Sequence, residues 1–218
     1  MINIKPIQGV ALSIETSRIK RGRKFEQVVA GARSVFLREG FEGASVDEIA
    51  REAGVSKATL YSYFPDKRVL FVEIALREAL RQAEAYDEQV DLNLPPNVLL
   101  PVAGRKLLDF MLSDLGQALY RVAVGESERF PEIGRKFYEN GPKLVRDRIS
   151  EYLSQAAARG EVRIDDFDLA AEQFLELCKV RAVTLCTFQP RVSVDAAERD
   201  KIIRNAVDMF LSHYGVKS

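Results

Sequence analysis

Apolar residues recur three and four positions apart along most of the chain, and no segment sustains two-residue alternation, so the pattern predicts an all-α protein. Residues 1–17 mix Pro6, Gly9 and small polar groups without a period and are expected to form a flexible tail. A first helix is predicted over residues 23–38, with Phe25, Val28, Val29, Ala32, Val35 and Phe36 on one face and Gly40 at its C-terminal cap. A short second helix follows Ser45, where Ser45 and Glu48 have capping-box spacing; Val46, Ile49, Ala50 and Ala53 form its apolar stripe. Gly54 supplies a turn, Ser56 caps a third helix over residues 57–64, and Pro65 ends it. The inward residues of that helix are Leu60 and one of Tyr63 or Phe64.

Further helices are predicted over 67–87, 97–114, 115–129, 131–159 (bent at Gly141-Pro142), 168–188 and 194–214. Residues 161–164 are the one stretch with strand character. The organisation expected is a tail (1–17), a helix-turn-helix domain (18–66) and a larger helical domain (67–218).

Two short capped helices joined by a glycine turn leave Lys57, Ala58, Thr59, Tyr61, Ser62 and Tyr63 on the outside of the third helix or at its start. A cation, hydroxyls and phenols suit phosphate oxygens and base edges. Taken alone, such a corner is equally compatible with ordinary helical packing. Charge sharpens the picture. The 218 residues carry 32 Lys+Arg against 32 Asp+Glu, yet residues 1–70 hold 12 against 8, and residues 18–24 contain five basic side chains and no acid. That asymmetry is what a nucleic-acid contact at one end requires, whereas the neutral total argues against a protein that coats nucleic acid or membranes indiscriminately.

The run GVSKATLYSYFPDK at residues 54–67, with the basic arm and first helix before it, resembles the TetR family of bacterial regulators. The segments ERFPEIGRKFY (128–138) and AAEQF (170–174) further resemble its AefR-like C-terminal domains. The resemblance implies that Ser45 and Ser56 hold phosphates, that Lys57, Ala58 and Thr59 meet bases, and that Tyr61 and Tyr63 touch the DNA backbone. It implies a further phosphate anchor at Lys67, and minor-groove or flanking-phosphate contacts from the arm through Arg21, Arg23 and Lys24. Alanine stands at position 58, where glycine is common in the family; both are small.

The same resemblance implies a homodimer through the last two helices, a double-stranded palindromic operator, and a small, largely hydrophobic effector that releases the DNA, most commonly as a repressor. Phe110, Met111, Tyr120, Phe137, Tyr138, Phe174 and Cys178 are candidate pocket residues, each more readily read as ordinary core. Asp109 and Arg181 lie inside apolar stretches and need partners if buried. Residues 69–76 are apolar except for Glu73, so the start of the fourth helix is expected to be buried between reading head and sensor.

An enzyme finds little support, because general acid–base chemistry wants a tuned histidine or a carboxylate pair and His213 stands alone. Asp165, Asp166 and Asp168 lack calcium-loop spacing, so neither metal nor cofactor is expected. Cys178 and Cys186, eight apart on one helix, would project about 80° from each other and lie about 12 Å apart along its axis, too far for a bridge. With no apolar run of about 20 residues, the expected location is the cytoplasm rather than a membrane.

Overall fold

A computed structural model describes residues 22–87, 91–189 and 191–216, and eleven helices make up almost all regular structure among them. Arg21 and the tail before it lie outside the described residues. Three helices open the chain: α1 (Arg23–Gly43), α2 (Val46–Glu52) and α3 (Lys57–Tyr63). The regular run of α1 ends where expected, because Gly40 adopts φ +70, a left-handed conformation that costs a β-carbon-bearing residue more. One last turn then carries the Phe41 ring to 4.8 Å from Phe71. Where α1 meets the end of α2, Gly31 is indispensable: a Cβ there would lie 2.6 Å from the backbone nitrogen of Ala53.

Helix α4 (Lys67–Asp87) runs beneath this head. Residues 69–76 are buried throughout, Glu73 included, as the apolar run predicts. Then come α5 (Pro96–Leu112), α6 (Asp114–Glu126), α7 (Pro131–Asn140), α8 (Pro142–Ala158), α9 (Phe167–Lys179), α10 (Ala182–Phe188) and α11 (Ala196–Tyr214).

Two predicted long helices are each two. Gly141, at φ −121 and ψ −98, separates α7 from α8 rather than merely bending one helix. The break between α9 and α10 has no glycine or proline to announce it. There Arg181 takes φ +64 in a γ-turn closed by Ala182 N–H donating to the Val180 carbonyl at 2.7 Å. Its guanidinium is exposed and pairs with Glu198 of α11 at 3.1 Å. Asp109 is likewise paired, by Arg105 at 3.0 Å and Arg199 at 2.9 Å, which ties α5 to α11. The strand-like stretch at 161–164 contributes one antiparallel bridge, Val162 with Gly215.

The apolar core divides in two. One cluster joins α1–α3 and the first half of α4 to Leu119, Val122 and Ala123 of α6 and Ile133 of α7. The other is built from α5 and α8–α11 around Leu100, Leu108, Leu153, Phe174 and Phe210. Core packing therefore does not part at residue 66, since α4, α6 and α7 share their apolar faces with the head. No helix among the described residues is long and apolar enough to cross a membrane.

Candidate nucleic-acid interface

Local chemistry fixes the two short helices. Ser45 Oγ accepts from the Glu48 amide at 3.1 Å, and Ser56 Oγ accepts from the Thr59 amide at 3.1 Å, so each helix start has one orphan donor satisfied. The capping box at Ser45 is only half formed, because the Glu48 carboxylate is taken by Arg38 at 2.7 Å. Gly54 turns the chain at φ +63, and Val55 N–H returns to the Ala50 carbonyl at 3.0 Å. Leu60 and Phe64 then pin α3 to the core, Phe64 stacking on Phe25 with ring centroids 5.5 Å apart.

What remains outside is the set the pattern predicts, with two corrections. Lys57, Ala58, Tyr61 and Ser62 are exposed, Tyr61 by 47%, and Thr59 is half-buried with its hydroxyl 2.9 Å from that of Ser56. Ser62 Oγ donates to the Thr59 carbonyl at 2.7 Å. Arg23 and Lys24 are exposed at the start of α1. Tyr63 does not point freely outward: its ring is half-buried, edge-on to Phe25 at 5.6 Å, because a tyrosine directly before Phe64 falls on the flank of the helix.

Lys67 is the second correction. Its ammonium donates to the carbonyls of Phe41 at 2.9 Å and Ala44 at 3.0 Å and lies 4.5 Å from the Phe41 ring centroid. It caps the end of α1 rather than reaching out for a phosphate. Charged hydrogen bonds to half-buried carbonyls contribute about 1–2 kcal/mol, so Lys67→Ala is expected to lower stability by that much in a urea titration. An unchanged midpoint would show the cap to be dispensable.

A buried ionic relay lies beneath the head. Glu73 of α4 is 4% exposed and receives Lys136 of α7 at 2.9 Å and Arg77 at 2.9 Å; Arg77 in turn approaches Glu26 of α1 at 3.6 Å. Burial pushes the Glu73 carboxyl upward, but the charges and hydrogen bonds of Lys136 and Arg77 outweigh it and hold it below its ordinary value. Arg68 at the start of α4 bonds Asp66 at 2.8 Å and Glu126 at the end of α6 at 2.7 Å, and its side-chain hydrogen bond to Asp66 draws that carboxyl down. Sequence periodicity marks Glu73 as an exception in an apolar run; its partner 63 residues onward has no sequence signal.

The candidate pocket residues are not gathered around one space. Phe110 and Phe137 pack on the first core cluster, with Tyr120 6.2 Å from Phe137. Phe174 and Cys178 are fully buried in the second, where a Cβ on Gly104 would come 2.8 Å from the Cys178 sulfur. Burial pushes the Cys178 thiol up to about 12, which keeps it protonated and unreactive. Met111 is half-buried on α5, and Tyr138 is 51% exposed on α7, contrary to a lining role in this conformation. An open groove of about 470 Å³ runs past Phe41, Val46, Tyr61, Arg68 and Glu126, and none of the seven candidates lines it. No group of three or more metal-ligating side chains comes together among the described residues.

Comparison with known proteins agrees with this geometry. Residues 28–74 match the profile described as bacterial regulatory proteins, tetR family, and residues 99–216 match that of the AefR-like transcriptional repressor C-terminal domain. The repressor AcnR of Corynebacterium glutamicum is 26% identical over 140 residues, 64% of this chain and 69% of AcnR. A Mesorhizobium loti structure assigned to the TetR family superposes with a TM-score of 0.73 at 26% identity, covering 89% of this chain and 98% of that one. The structure of the flavonoid-responsive regulator FrrA gives 0.65 at 31% identity, over 90% of this chain and 100% of FrrA.

Proposed function

The chain belongs to the TetR family of bacterial transcriptional regulators, and from that premise we infer that it is a repressor that grips a palindromic operator as a homodimer and lets go when a small, largely hydrophobic molecule binds. One observation carries the reading: the outward face of α3 offers Lys57, Ala58, Tyr61 and Ser62 to solvent, while Leu60 and Phe64 anchor the opposite face. In this reading α3 enters the major groove, Lys57, Ala58 and Thr59 meet bases, and Tyr61 meets the backbone beside Ser45 and Ser56. Arg21, Arg23 and Lys24 extend the contact to flanking phosphates.

The dimer runs through the last helices. Leu169 of α9, Val180 after it, Phe188 of α10 and Met209 of α11 are exposed, Phe188 by 80%. Such side chains on consecutive helices favour an apolar seam with a second copy. Phe188→Asp combined with Met209→Asp is expected to turn a dimer into a monomer by sedimentation velocity and to weaken DNA binding at least tenfold, since each head then binds alone. A variant that stays dimeric would move the seam elsewhere.

Effector chemistry is supported by the flavonoid response of FrrA and by the rings of Phe110 and Phe137 against the first core cluster, with Tyr120 beside Phe137. Binding that displaces α7 would pull Lys136 against Glu73 and tilt α4 with the head it carries, so heads misplaced for successive groove faces release DNA.

Binding by the full chain to duplexes enriched from a random pool tests the reading. With Arg21, Arg23 and Lys24 on phosphates from both subunits, the logarithm of affinity should fall against the logarithm of salt with a slope of about −5. Absence of salt-dependent binding to any duplex overturns it.

A further inference from the structure

In the first turn of α2, Asp47 forms an ion pair with Lys57, the residue that opens α3. Both side chains are in water, at 68% and 59% exposure, so the pair adds little to folding. Its consequence lies in what it does to Lys57. The hydrogen bond that Lys57 donates to the Asp47 carboxylate, and then the charge of Asp47, raise the Lys57 amine above its ordinary value, so the ammonium stays charged and is held at one place.

An unpaired lysine at the tip of a reading helix would serve any phosphate, because its charge needs only an anion. A carboxylate beside the same ammonium changes the target. Next to a phosphate, Asp47 adds like-charge repulsion at contact distance, which offsets what Lys57 contributes. The matching surface must offer acceptors to the ammonium and, alongside, a donor to the carboxylate. The major-groove edge of a G·C pair does so: guanine N7 and O6 accept, and the N4 amino group of the paired cytosine donates. The neighbouring exposed residue, Ala58, presents only a methyl group and does not compete for either.

We propose that Asp47 is a specificity-determining residue of this regulator, and that the Asp47–Lys57 pair acts as one unit reading a single G·C base pair in each half-site while discouraging attachment to phosphates elsewhere. The inference rests on the reading that α3 enters the major groove. Asp47 itself accepts from cytosine N4–H and positions Lys57 on guanine.

The experiment enriches a random duplex pool with the full-length wild type, Asp47→Asn, Asp47→Ser and Lys57→Met, and measures affinity for the enriched duplex and for poly(dA-dT), which offers phosphates without any G·C edge. The wild type should demand G·C at one position per half-site. Both Asp47 variants should relax that position about tenfold, leave the others unchanged, and bind poly(dA-dT) more tightly. Lys57→Met should relax the same position, and the Asp47→Asn/Lys57→Met double variant should relax it no further. Asp47 variants that enrich the wild-type sequence, a loss spread evenly over all positions, or an A·T demand at the affected position would overturn the inference while leaving the regulator reading intact. A wild type that enriches nothing would overturn both.

Discussion

Lys136→Met is expected to lower stability by about 2–3 kcal/mol at pH 7, in a urea titration, and the deficit should shrink as the solution is acidified. Removing one partner of a buried ion pair costs about 3–5 kcal/mol when the other charge is stranded; here Arg77 still holds one carboxylate oxygen of Glu73, so the cost falls to the bottom of that range or somewhat below it. The sign with pH follows from the direction of the Glu73 shift. Its folded-state pKa lies below the ordinary 4.5, so the stabilisation is complete above that value and disappears as pH falls through the depressed one. The variant loses the pull of Lys136, its Glu73 protonates at higher pH, and once the carboxyl is neutral in both proteins the missing lysine no longer matters. Titrations at pH 7 and near pH 4 therefore suffice. An equal deficit at both would mean that the loss does not depend on the charge of Glu73, and the ionic account of Lys136 would fall.

The relay around Glu73 also marks where sequence reasoning stops. Features closed within a turn or two are legible: Gly40 and Gly54 sit at positive φ where their helices must end, and Ser56 caps α3 through an amide three residues away. The burial of residues 69–76 follows from their composition. Features that depend on what lies opposite are not legible. Lys67 reads as an anion anchor at a helix start, yet the end of α1 arrives beside it with two free carbonyls. Phe110 and Phe174 look alike on their own stripes, but α5 and α9 present them to different cores. The break at Arg181 has no compositional mark, for its γ-turn is held by contacts of α9, α10 and α11 rather than by a residue built for it.

Gly31→Val is expected to cost about 3 kcal/mol and to abolish duplex binding, whereas Gly125→Ala should add about 0.5–1 kcal/mol, although both replace a glycine inside a helix. In each case the larger residue gains helix propensity over glycine, up to about 1 kcal/mol for alanine. The surroundings decide the rest. Beside Gly125 nothing lies within 4 Å of a new Cβ, so the propensity gain survives. Beside Gly31 a Cβ would sit 2.6 Å from Ala53 N, 2.7 Å from its Cα and 2.7 Å from its Cβ, atoms that no rotamer change can move aside. Overpacking of this kind costs about 1–3 kcal/mol and more where backbone must shift, and valine adds two methyl groups to the clash. What must shift is the end of α2, with Gly54 and Ser56 directly after it, so the strain is delivered to the start of α3, where Lys57 and Asp47 meet. The second core shares no buried residue with the first, and the proposed dimer seam should survive in Gly31→Val by sedimentation velocity while the head no longer reads DNA. Loss of both together would mean that the head and the dimer seam fold as one cooperative unit through α4.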